Sequence, residues 1–99
     1  MILHLINHSY MQNHELEQCM RYSKPGDMLL FMQDGVYNLV ANTKGALEIC
    51  RANTSALTFY AIKEDIQAHH IAKPMSHVKL VDYSNFVDLV AIADKVISW

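Results

Sequence analysis

Cysteine is nearly absent from this chain. Only Cys19 and Cys50 occur among 99 residues, with no CxxC pair and no spacing that would build a disulfide framework. Charge is also scarce, at 18% of residues, and the formal net charge is −2. The cations Arg21, Lys24 and Arg51 are scattered, which argues against direct RNA or DNA binding by this chain alone. The first apolar run stops at Ile6 and is interrupted by His4, too short for a signal peptide or a membrane span. These absences lead us to expect a cytoplasmic protein with reduced thiols. Internal repeats, linkers and low-complexity tracts are missing, and the length suits one domain, residues 1–99.

What the chain has in surplus is apolar surface. The apolar fraction of 52% is high for so small a chain, which has much surface to cover, and the excess suggests a buried subunit interface.

The central stretch is Asp27 to Tyr37, DMLLFMQDGVY. Met28 to Met32 form a continuous apolar run, the pattern of a strand buried on both faces. Gln33 and Asp34 follow, Gly35 lets the chain turn, and Val36, Tyr37, Leu39 and Val40 read as a short helical segment. A polar pair at the carboxyl end of a buried parallel strand is where open α/β sheets place chemistry or contacts. The competing reading is turn punctuation, with Asp34 capping the next helix.

Around this stretch, Met1 to Ile6 reads as a first strand. Asn13 is a fair N-cap for a helix reaching about Ser23, on which Leu16, Cys19 and Met20 share an apolar stripe. Pro25-Gly26 ends that helix. Asn42 to Gly45 has loop composition without the spaced glycines of a P-loop, and Ala46 to Ala52 is weakly helical. Leu57 to Ile62 is the third strand, a helix runs from Lys63 to about Ala72, and Val78 to Val81 is the fourth strand. Ser84 is the expected N-cap of a last helix over Asn85 to about Asp94, followed by the apolar tail Val96 to Trp99. Strands alternating with helical segments argue a single-domain α/β fold with a mainly parallel sheet. In the last helix, Phe86, Leu89, Val90 and Ala93 form one apolar stripe, while Val87, Ala91 and Ile92 carry apolar groups to other faces. A helix apolar nearly all round is buried on more than one side, which here points to another subunit.

Candidates for chemistry are few. The six histidines show no convergent ligand spacing, so no metal site is expected, and no cofactor fingerprint is present. Cys19 is the one residue with evident covalent potential, but its apolar neighbours Leu16 and Met20 suggest a core thiol. No Ser-His-Asp arrangement can be read. A stand-alone ligand module using the Gln33-Asp34 edge would need tight binding by the isolated chain.

Three stretches resemble the DsrH/TusB family of sulfur-relay proteins. They are Met1 to Ile6 with Ser9-Tyr10 and Leu16 to Cys19; Gly26-Asp27 and Leu29-Leu30 leading into Gln33-Asp34-Gly35-Val36; and Val81-Asp82-Tyr83 with Phe86-Val87 and Trp99. Family members run to about this length, so the resemblance spans the whole chain. It implies a three-layer α/β/α domain of the DsrE type with a mainly parallel four- to five-stranded sheet. It also implies a place beside TusC/DsrF-like and TusD/DsrE-like sister subunits in a dimer of heterotrimers; the apolar last helix leads us to expect a homo-oligomer when those sisters are absent. Such a complex relays persulfide sulfur towards 2-thiolation of the tRNA wobble uridine in the TusB branch, and serves sulfur oxidation in the DsrH branch. The principal sulfur-carrying cysteine belongs to the DsrE/TusD-type sister, which makes this chain a non-catalytic partner linked to tRNA only indirectly. Cys19 matches a position where DsrH-type members carry a cysteine and several TusB-type members do not, so the alternative is that Cys19 itself carries persulfide. By the same resemblance, Gln33, Asp34 and Gly35 become a family signature, structural or at a subunit contact, and Trp99 joins Phe86, Leu89 and Val90 as interface candidates.

Overall fold

The computed structural model describes residues 1–9, 15–40, 57–71 and 77–99. The expectations for Asn13, the loop at Asn42 to Gly45 and the weak helix at Ala46 to Ala52 lie outside the described residues, as does Cys50.

The apolar run of the central stretch becomes strand β2, Met28–Phe31, and every one of its residues is buried. It occupies the middle of a five-stranded sheet. The other strands are β1 (Ile2–Ile6), β3 (Thr58–Ile62), β4 (Val78–Val81) and β5 (Lys95–Ser98), in the order β4-β3-β2-β1-β5. All four pairings are parallel, with Leu3 opposite both Met28 and Val96, and Leu29 opposite Phe59. A strand with neighbours on both sides and helical layers on both faces has no solvent-facing side, which explains why β2 lacks any polar alternation.

From β1 to β4 the chain steps one strand at a time in one direction. Helix α1 (Glu15–Tyr22) follows β1 and helix α2 (Lys63–Ala68) follows β3. Both pack on the face carrying Ile6, Leu29, Phe31, Phe59 and Ala61, through Leu16, Cys19 and Ile66. Helix α3 (Tyr83–Ile92) then carries the chain back across the sheet from β4 to β5. Its Leu89 and Phe86 pack on the opposite face against Leu3, Met28, Leu30 and Ile62. Right-handed crossovers in opposite directions place their helices on opposite faces, which gives the three-layer α/β/α arrangement.

Helix termini follow local chemistry. Helix α1 is supported by a Glu17–Arg21 pair at i,i+4, 2.7 Å. After it, Lys24-Pro25-Gly26-Asp27 turns with Asp27 N–H donating to the Lys24 carbonyl at 3.0 Å and Gly26 at φ +92°. Proline second and left-handed glycine third is the type II turn pattern. Helix α2 ends at Ala68, four residues short of the expected end. Ile71 N–H bonds the Ile66 carbonyl and His70 N–H the Gln67 carbonyl, with His70 left-handed at φ +56°. This is a Schellman cap with histidine where glycine is usual, and Ile71 joins Ile66 in the core as that motif's apolar contact.

Two expectations are corrected. The N-cap of α3 is Asp82, not Ser84: its carboxylate accepts from Asn85 N–H at 2.8 Å, so the helix starts directly after β4. The apolar tail, read only as a tail, is the edge strand β5 paired to β1.

Candidate functional site

The parallel strands deliver the segments after β2, β3 and β4 to one carboxyl edge, and the polar residues of the Gln33-Asp34 signature gather there. Gln33–Leu39 is a 3-10 helix in which Val36 and Leu39, three apart and therefore on the same side, are fully buried. Asp34 does not cap it: the N-cap is Met32, without a side-chain bond. Instead Asp34 Oδ1 meets His69 Nε2 at 3.0 Å. Gln33 is left-handed at φ +52°, and its N–H donates to Asp65 Oδ2 at 2.7 Å. The same carboxylate accepts the Tyr83 hydroxyl at 3.1 Å, which ties the start of α3 to α2. The Tyr37 ring stands edge-on to His69 at 4.9 Å. An open groove lined by Lys63, Glu64, Gln67, Leu80, Asp82 and Asn85 lies beside the cluster.

Gly35 answers the turn reading. A Cβ there would lie 2.0 Å from the Ile6 carbonyl oxygen and 2.8 Å from its carbon. The glycine is required by a close approach of the 3-10 helix to the end of β1, where Ile6 O also accepts from Met32 N–H at 3.0 Å.

Electrostatics follow the geometry. His69 is raised above its ordinary value near 6.5, chiefly by its bond to Asp34 and then by that to the Asp65 carbonyl. Tyr83 is raised by partial desolvation and by the Asp65 carboxylate it donates to.

Cys19 sits elsewhere, on the α1 face. It is 0% exposed. Burial pushes its thiol from 9.0 up to about 12; the Ser23 hydroxyl, 3.8 Å away, pulls weakly the other way, and the charge of Asp27 adds to the rise. Near it lies a second buried polar network. His4 Nε2 is 3.1 Å from Asp27 Oδ2, and Trp99 Nε1–H donates to His4 Nδ1 at 3.0 Å. An indole N–H can only donate, so Nδ1 accepts and the Nε2 proton goes to Asp27. Asp27 also accepts from the N–H groups of Ile2 and Lys24, at 3.0 and 3.1 Å. Burial alone would push this carboxyl up; those three donors outweigh it and hold Asp27 below its ordinary 3.8.

The structure thus brings Gln33, Asp34 and Gly35 together with Asp65, His69 and Tyr83, and leaves Cys19 apart from them. Trp99 is partly buried against the core cluster that contains Cys19. Phe86 and Leu89 seat α3 on the sheet, while Val90 is 38% exposed beside Val87 at 63% and Ile92 at 59%. Sequence reasoning missed Asp65, His69 and Tyr83 as partners of the signature. The one available signal for the second network was His4 itself, a polar residue interrupting an apolar strand. Among the described residues no His/Cys/Asp/Glu group could hold a metal ion, and no helix is long and apolar enough to cross a membrane.

Solved structures share this architecture. The YchN protein of E. coli superposes with a TM-score of 0.74 over 99% of this chain and 97% of its own, at 15% identity. Protein Tm0979 of Thermotoga maritima gives 0.65 over 92% of both chains, at 28% identity. The fold class is therefore the small parallel α/β domain of these proteins. Within that class, the profile described as "DsrH like protein" matches residues 8–96. Curated relatives named Protein TusB include that of Salmonella enteritidis PT4, 37% identical over 81% of this chain and 82% of its own. The TusB of Sodalis glossinidius is 29% identical over 86% and 87%. The chain belongs to the DsrH/TusB family of sulfur-relay proteins.

Proposed function

We propose that this chain is a non-catalytic subunit of a cytoplasmic persulfide-relay complex acting in 2-thiolation of the tRNA wobble uridine, alongside TusC/DsrF-like and TusD/DsrE-like sisters. Kinship to proteins named TusB supports the branch. The observation that carries the non-catalytic role is the state of Cys19. Sulfur transfer needs a thiolate, and a thiol pushed up to about 12 is ionised in about one molecule in 10⁵ at pH 7. It is also sealed from any donor.

The subunit contacts fall on the apolar surplus. Val87, Val90 and Ile92 present the outer side of α3, with Phe86 and Leu89 holding the helix against the sheet. Gln33 and Asp34 offer polar contacts at the carboxyl edge, and Trp99 steadies the β5 side. The net charge of −2 suits an indirect link to tRNA.

The test is intact-mass spectrometry after sulfur loading from a cysteine desulfurase and its upstream carrier, with the chain alone and with both sisters. Sulfur is expected on the TusD/DsrE-like sister only. One sulfur on this chain that disappears in Cys19→Ser overturns the reading and makes Cys19 a relay station. Val87→Glu is expected to weaken assembly with the sisters, measured by analytical ultracentrifugation.

A further inference from the structure

Both ring nitrogens of His69 face oxygen acceptors. Nδ1 lies 2.9 Å from the Asp65 carbonyl, which can only accept. Nε2 lies 3.0 Å from Asp34 Oδ1. A neutral imidazole has one N–H and can satisfy one of these acceptors; the imidazolium satisfies both. We propose that doubly protonated His69 is a proton-operated pin that tightens the Gln33-Asp34-Gly35 edge against the end of α2, and that loss of one proton weakens it to a single uncharged hydrogen bond.

The surroundings fit a device with two positions. The 3-10 helix contributes Asp34 and Tyr37, and α2 contributes Asp65, whose carboxylate also holds Gln33 N–H and the Tyr83 hydroxyl of α3. Glu64, facing Tyr83 N–H at 3.4 Å, adds a further carboxylate. Charged His69 stands beside these carboxylates, and neutral His69 keeps one N–H but gives up its charge. Gln33 and His70, the two left-handed non-glycine residues among those described, flank the pinned pair in sequence. Backbone of this kind persists only where surrounding bonds over-determine it. Weakening the pin therefore acts on this backbone. The lock is half open to solvent, with His69 19% and Asp34 47% exposed, so protons exchange without unfolding.

The sign is fixed by the raised value of His69: the locking contribution is complete below about 6.5 and is lost as pH rises through the higher folded value. The test is an NMR pH titration of the full chain, with amide-exchange protection factors for Gln33 to Gly35 corrected for intrinsic rates. His69 is expected to titrate above 6.5, and Gln33 protection to fall about tenfold per unit of raised value once it deprotonates. In Asp34→Asn the His69 midpoint should drop towards 6.5. In His69→Gln, which cannot carry the second proton, Gln33 protection should be low at every pH. Amide dispersion checks that each variant is folded, and wild type alone decides the matter if neither folds. A His69 midpoint at or below 6.5, or protection of Gln33 independent of pH in wild type, overturns the proposal.

Discussion

Replacing Gly35 by alanine tests the close approach of the 3-10 helix to the end of β1. The new Cβ would stand 2.0 Å from Ile6 O, well inside van der Waals contact, and the obstacle is backbone, not a side chain that can swing away. Strand β1 cannot yield, since β2 and β5 hydrogen-bond it on both sides. The 3-10 helix must move instead. Moving it strains or breaks Met32 N–H to Ile6 O, Gly35 N–H to Met32 O, and Gln33 N–H to Asp65. Overpacking and these bonds together cost about 3–6 kcal/mol. A domain of this size has about 5–15 kcal/mol in total, so the variant should lose about 12 °C or more in Tm. Urea and thermal unfolding followed by circular dichroism measure it. Gly26 is the control. It has open space but φ +92°, so Gly26→Ala should cost only about 1–2 kcal/mol, and asparagine, which tolerates left-handed backbone, should recover part of that. Asparagine at Gly35 should recover nothing. A Gly35→Ala variant within about 1 kcal/mol of wild type would refute the steric argument.

Three further outcomes are expected. In a Cys50→Ala background, Cys19 should be inert to a thiol reagent in the native state and react at the rate of opening, which stopped-flow labelling against denaturant will show. Asp27→Asn should cost about 2–3 kcal/mol at pH 7. Because Asp27 is depressed below 3.8 in the folded state, its contribution is present above 3.8, and the wild-type and variant stability curves should converge below it, as pH falls through the lower folded value. His70→Gly should stabilise the chain by about 0.5–1 kcal/mol in urea unfolding, since glycine suits the left-handed cap position.

What could be read in the sequence is what periodicity and composition encode locally. An unbroken run such as Met28 to Phe31 has nowhere to go but the middle of a sheet, and Leu16 with Cys19 marks the buried side of α1. Strand β5 could not be read, because Lys95 to Ser98 gains its identity only by lying beside β1, and no glycine separates it from α3. The cap of α3 was misplaced because a carboxylate and a hydroxyl two positions apart both qualify, and the end of β4 decides between them. At the carboxyl edge the signature was visible but not its partners: His69 is 35 positions from Asp34, and nothing local announces the pairing. Family kinship was legible because residue order along the chain carries it; a contact network is legible only in space.

The position of β5 shapes how the molecule comes together. Strands β1 to β4 can assemble as the chain is laid down, each against its predecessor, but β1 waits for a partner more than ninety residues on. Until β5 arrives, the Ile2–Ile6 edge is an unpaired template, apolar except for His4 and able to accept any compatible strand. A second copy could supply its own β5 there, exchanging the segment between two molecules. Trp99 does not oppose that exchange, since the second copy brings the same tryptophan, but it does oppose a foreign strand or a slipped register. Its indole reaches His4, so a strand that settles without a tryptophan in register leaves a buried nitrogen unsatisfied. The hydrogen bond thus proofreads which strand has closed the sheet.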